Sequence, residues 1–139
     1  LARRSTSCAA SGRRTKRLLR ANNGAMAIRL PSVSPLRLDP ELAVEALDWR
    51  RVFGRDGRVE VEVGIGKGRF LLACAAARPE VLHFGIEWSN EYLRLAETRA
   101  ERGNLDNVRF VRADATDVVR RAIPDGSVSS ATISAVRTR

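Results

Sequence analysis

Apolar and acidic positions alternate strictly from Val59 to Val63, with Val59, Val61 and Val63 on one side and Glu60 and Glu62 on the other. This period of two predicts a strand. Gly64, Gly66 and Gly68 follow at alternate positions, and Phe70-Leu71-Leu72-Ala73-Cys74-Ala75-Ala76-Ala77 then reads as a helix with a buried face. Arg78-Pro79 stops it. Residues 81–87 are nearly continuous in apolar character, as a buried parallel strand should be. Ser89 or Asn90 caps a helix running to Arg102, with Glu91 in its first turn and Gly103 as C-cap. Tyr92, Leu95, Ala96 and Arg99 fall at helical spacing and read as its packing face. Residues 108–111 form a third strand, and 116–122 a short helix. Ahead of the first strand, Pro31 and Pro35 mark an extended, irregular segment. Asp39-Pro40 opens a short helix over 41–48. Trp49 and Phe53 anchor this lead-in against the sheet, and Gly54-Arg55-Asp56-Gly57 turns into the first strand.

Strand, glycine turn and helix open a nucleotide-binding α/β unit. Glycines there adopt φ > 0 and let the backbone approach a ligand, while the next helix points free N–H groups at it. The spacing is G-x-G-x-G, however, where a dinucleotide site wants G-x-G-x-x-G. Glu62 stands two residues before the first glycine, where its charge would repel a diphosphate. A carboxylate there suits a ligand without phosphate that carries an ammonium and a sulfonium, namely S-adenosylmethionine. The plainer alternative is that Glu60 and Glu62 are the solvated face of an edge strand. Glu87 ends the second strand nineteen positions after Gly68, placed to accept both ribose hydroxyls. Asp114 follows the third strand. Three acids thus fall at the carboxyl ends of parallel strands, where open α/β sheets bind ligands.

These residues resemble a known family. Val61-Glu62-Val63-Gly64-Ile65-Gly66-Lys67-Gly68-Arg69-Phe70-Leu71-Leu72, Phe84-Gly85-Ile86-Glu87, Tyr92-Leu93, Asn107-Val108-Arg109-Phe110, Ala113-Asp114-Ala115 and Ile123-Pro124-Asp125-Gly126-Ser127-Val128 are similar to segments of the bacterial tRNA (guanine-N7)-methyltransferases. The resemblance covers roughly 58–128. It implies an α/β, class I S-adenosylmethionine-dependent methyltransferase (Rossmann-like) fold, and an enzyme that methylates guanine N7 in the tRNA variable loop. It also implies that Glu62, Glu87 and Asp114 bind the cofactor beside Gly64, Gly66 and Gly68. After Val128 the resemblance breaks. The family continues its fourth strand into a Pro-Asp-Pro-Trp segment, with a catalytic Asp and basic residues facing tRNA, whereas this chain reads Ser129-Ser130-Ala131-Thr132-Ile133-Ser134-Ala135-Val136-Arg137-Thr138-Arg139. No catalytic residue is therefore assigned. The fold is expected to be truncated after about the fourth strand, marginally stable or aggregation-prone, and inactive toward tRNA on its own. An out-of-frame or truncated ending is the leading explanation.

Length and charge divide the chain. With 139 residues it is expected to hold one domain over 58–128, preceded by a lead-in over 30–57 and followed by an atypical tail over 129–139. Residues 1–29 carry eight of the 25 basic residues and no acid, so most of the net charge of +9 lies there. That leader has too few large apolar residues to pack and is expected to be disordered. It reads as an arm for tRNA phosphates, as an organellar transit peptide, or as sequence upstream of a true start at Met26.

No apolar run reaches the ~18–20 residues of a membrane span. Cys8 and Cys74 are far apart and make no metal or redox pair, which fits a reduced, cytoplasmic setting. His83, the chain's one histidine, lies mid-strand and reads as a satisfied structural residue. Lys67 either approaches tRNA phosphates or is solvated, and Arg69 reads as solvated. Two other function classes are weighed: a non-catalytic RNA-binding or partner module using the leader, and a nicotinamide-dependent oxidoreductase, disfavoured by Glu62 and the glycine spacing.

Overall fold

The computed structural model describes residues 34–134. The basic leader, Met26, Cys8 and Pro31 lie outside them, as does the end of the tail.

Five parallel strands form one sheet: β1 (Arg37–Leu38), β2 (Val59–Val63), β3 (Leu82–Glu87), β4 (Val108–Arg112) and β5 (Ser130–Ile133), in the order β1-β4-β3-β2-β5. Helix α2 (Arg69–Ala77) links β2 to β3, and α3 (Asn90–Arg102) links β3 to β4. The chain steps outward from β2 through β3 to β4, then returns to the far side of β2 as β5. The order reverses at β2, so the glycine turn leaves the sheet at a topological switch point.

The alternation in β2 sets the two layers. Val59, Val61 and Val63 pack with Phe84, Ile86 and Val111 under the lead-in, where Ala43, Leu47 and Phe53 are buried. On the opposite face, Leu71, Leu72 and Ala75 of α2 and Leu93, Ala96 and Ala100 of α3 close over Val108 and Phe110. Each buried leucine or phenylalanine contributes about 1.5–3 kcal/mol, so these two layers hold the sheet together. Asn107 is buried beneath α2 and directs its amide at the carbonyls of Ala75, Arg78 and Val81 at 3.0–3.2 Å. It fastens the end of α2 to the start of β4.

The lead-in differs from its expected form. Asp39 accepts from the Glu41 N–H and opens a 3-10 turn over Pro40–Val44, in place of a helix over 41–48. Asp48 instead caps a second helix, α1 (Trp49–Phe53), by accepting from the Arg50 and Arg51 N–H groups. Two aspartate caps nine residues apart divide what the sequence reads as one helix. Trp49 does anchor the segment: its ring meets Phe84 edge-on at 5.2 Å, and its Nε1 donates to Ser127 Oγ at 3.0 Å. Residues 37–38, expected to be irregular, form β1. Arg37 reaches α3, its Nε and Nη2 donating to Glu97 at 2.5 and 2.9 Å and its Nη1 to Asn90 Oδ1 at 2.9 Å.

Two further corrections concern helices. The packing stripe of α3 is Leu93, Ala96, Glu97 and Ala100, whereas Tyr92 and Leu95 are each 39% exposed. The helix expected over 116–122 is an α-helical turn, α4 (Ala115–Asp117), running into a π-helical turn over Val118–Ala122. The strand expected after Val128 forms as β5, in register with β2, but all four of its residues are exposed. β2 is therefore an interior strand, and the edge-strand reading of Glu60 and Glu62 does not hold.

Candidate functional site

The carboxyl ends of β2, β3 and β4 carry the three acids singled out from the sequence. Glu62 lies next to last in β2, Glu87 ends β3, and Asp114 follows β4 by two residues. The parallel register places Glu62 opposite Gly85 and Glu87 opposite Arg112. All three lie toward the same end of the sheet because the strands run the same way.

The glycines form the loop in the manner their type allows. Gly64, Gly66 and Gly68 have φ of 71°, 54° and 74°, in the left-handed region that a side chain disfavours. At Gly68 a Cβ would also lie 2.8 Å from the Ala96 Cβ, so the glycine lets α2 start directly against α3. At Gly66 a Cβ would meet nothing within 4 Å, so that turn of the loop faces open space.

Glu87 is tied into this loop. Its Oε2 accepts from the Gly66 N–H and its Oε1 from the Ser89 N–H, both at 2.8 Å. Ser89 in turn caps α3, its Oγ accepting from the Tyr92 N–H. Asp114 is exposed, and its Oδ1 accepts from the Thr116 N–H at 2.7 Å.

Glu62 is only 3% exposed. Its Oε1 accepts from Ser134 Oγ at 2.5 Å, while Oε2 has no partner among the described residues. Burial pushes its pKa up, opposed first by the Ser134 hydroxyl; the Leu71 backbone N–H lies near the carboxyl but outside hydrogen-bond geometry. A buried carboxylate with one free oxygen is a strong receptor for a cation that can replace the lost water.

Around the mouth, Lys67 Nζ stands over the Tyr92 ring at 5.7 Å, and the Arg99 guanidinium donates to the Lys67 carbonyl at 2.8 Å. Arg112 stands over Trp88, which is 67% exposed beside Glu87. Periodicity gives no reason to single out Trp88. Its adjacency to Glu87 at the strand end is the available signal. Among the described residues no group of three or more His, Cys, Asp or Glu side chains is arranged to hold a metal ion. None of their helices is long and apolar enough to cross a membrane.

The family model described as a putative methyltransferase matches residues 56–134, which hold the glycine loop and all three acids. The chain belongs to this methyltransferase family. The tRNA (guanine-N(7)-)-methyltransferase of Thermotoga maritima is 42% identical over 82 residues, 59% of this chain and 26% of that protein. The protein of the same name from Vibrio cholerae is 34% identical over 116 residues, 84% of this chain and 46% of the relative. The chain thus spans between about a quarter and just under half the length of these relatives. A crystal structure of a 30S ribosomal A1408 methyltransferase from an uncultured bacterium has the same fold at a TM-score of 0.50 and 22% identity, over 64% of this chain and 44% of that one.

The donor set suits the methyltransferase cofactor. The free oxygen of Glu62 offers a partner for an ammonium, and the open, side-chain-free turn at Gly66 gives a ligand access to the backbone.

Proposed function

We propose that this chain carries the S-adenosylmethionine-binding half of an enzyme that methylates guanine N7 in the tRNA variable loop. The observation that carries the reading is the pairing of Glu87 with Gly66, beside the unpartnered oxygen of buried Glu62. In this reading Glu62 holds the ammonium of the cofactor's amino-acid end. Glu87 both shapes the glycine loop and receives the ribose hydroxyls, and Asp114 borders the base. Bound S-adenosylmethionine supplies a methyl group on a positively charged sulfur, ready for displacement.

Guanine N7 already has a lone pair, so the transfer requires no proton removal from the attacking atom. The protein's contribution is then position and electrostatics. The names of the relatives support the tRNA substrate. Lys67 and Arg69 are exposed beside the glycine loop and available to RNA phosphates.

Photo-crosslinking of methyl-labelled S-adenosylmethionine to the full chain tests the cofactor reading. Labelling should be chased by S-adenosylhomocysteine and resist NADH. Displacement by NADH instead would favour a nicotinamide enzyme, and the absence of labelling from folded protein would sink the proposal.

A further inference from the structure

Two buried polar side-chain atoms have no hydrogen-bond partner among the described residues: Glu62 Oε2 and His83 Nε2. Both residues line one small cavity beneath α2, walled also by Leu71, Cys74 and Thr132. The register explains why they meet. Glu60 stands opposite His83 and Glu62 opposite Gly85, so His83 and Glu62 are diagonal neighbours on one face.

The sequence reads His83 as a satisfied structural residue, and it is buried but not satisfied. Its Nδ1 lies 3.9 Å from Glu60 Oε2, and Glu60 is itself gripped by both Nη atoms of Arg78 at 2.7 Å and by Arg58 at 2.8 Å. The facing carboxylate favours the proton on Nδ1, which leaves Nε2 as an acceptor. Glu62 Oε2 is also an acceptor when ionised. Two acceptors on residues that wall one cavity call for a molecule with two donors. The cavity measures about 20 Å³, and roughly 10–15 Å³ is enough for one water.

We propose that a single bound water in this cavity donates one O–H to His83 Nε2 and the other to Glu62 Oε2, making His83 a positioning residue for the carboxylate that meets the cofactor. The functional part rests on the reading of Glu62 as a cofactor ligand. The water compensates part of the solvation that Glu62 loses on burial and fixes the carboxylate's orientation, while a second lone pair on Oε2 stays available to the ammonium. The charged and titratable groups around the bridge are Glu60, Arg58 and Arg78 on the Nδ1 side, Cys74 from α2, and Glu80 at longer range.

With one histidine in the chain, ¹⁵N NMR of the imidazole reads this site without ambiguity. The expected spectrum is a neutral ring protonated at Nδ1, with a hydrogen-bonded Nε2 whose resonance moves in Glu62→Gln and on adding S-adenosylhomocysteine. A ring protonated at Nε2, or an Nε2 resonance indifferent to Glu62→Gln, overturns the bridge. In binding, His83→Leu should weaken S-adenosylhomocysteine by about two- to tenfold and displace the pH profile of its affinity, with His83→Gln recovering part of both. A purely structural role would lower the melting temperature and leave that profile in place. If the wild-type chain binds no S-adenosylhomocysteine, the cofactor reading fails, while the effect of Glu62→Gln on Nε2 still decides the bridge.

Discussion

Glu87 Oε2 accepts the Gly66 N–H at 2.8 Å, joining two residues 21 apart in sequence across the ends of adjacent strands. The proposed ribose acceptor therefore also holds the glycine loop in shape. Glu87→Ala should loosen the loop before any ligand is present. Amide hydrogen exchange at Gly66 should accelerate, and cofactor affinity should fall by ~1–3 kcal/mol, the scale of a lost half-buried charged acceptor. Unchanged protection at Gly66 would show that the loop holds its form without this bond.

Gly68 is constrained twice, by a φ of 74° and by the Ala96 Cβ at 2.8 Å. Gly68→Ala should destabilise the chain by ~1–3 kcal/mol in urea unfolding. In an Ala96→Gly background Gly68→Ala should cost less than in wild type, and what remains is the cost of the left-handed backbone. No remaining cost would mean that the backbone conformation is costless.

Asn107 offers the same kind of test away from the site. Its amide faces three carbonyls, so Asn107→Ala should leave buried acceptors unpaired and cost ~1–3 kcal/mol. Asn107→Asp should be worse, because it aims a carboxylate at carbonyl oxygens. A melting temperature within a degree or so of wild type for Asn107→Ala would contradict this role.

Glu62 gives stability a distinctive pH dependence. Burial raises its pKa above a carboxyl's ordinary value of 4.5, so the folded state holds this proton more tightly than the unfolded state does. The resulting stabilisation is present below the ordinary value and is lost as pH rises through the raised one. Glu62→Gln removes that loss. Relative to wild type, the variant should gain more at pH 7.5 than at pH 4, with ~1–3 kcal/mol as the scale of an unsatisfied buried group. It should also bind S-adenosylhomocysteine more weakly, since the proposed partner of its ammonium is gone. Equal effects on stability at both pH values would show that Glu62 titrates normally.

The acids and glycines are legible in the sequence because their signals are local: alternation in Val59–Val63, three glycines needing left-handed backbone, and carboxylates at the ends of apolar runs. Tertiary effects are not. β1 has only two residues and forms because Phe110 donates to the Leu36 carbonyl and Arg37 clamps Glu97, contacts that no window of sequence reports. Helical spacing alone points to Tyr92 and Leu95 in α3, because the real stripe mixes Leu93 with small alanines and a buried Glu97. The charge of Glu97 disguises a core position that Arg37 makes tolerable. His83 is correctly placed in the interior, but its missing partner shows only when β2 and β3 are set side by side.

Calorimetric titration of S-adenosylhomocysteine into the full chain, beside Glu87→Ala, shows whether these strand ends take up the cofactor. The wild-type chain should bind it, and the variant should bind ~1–3 kcal/mol more weakly. A wild-type chain that is folded by circular dichroism and takes up no S-adenosylhomocysteine would contradict the cofactor reading.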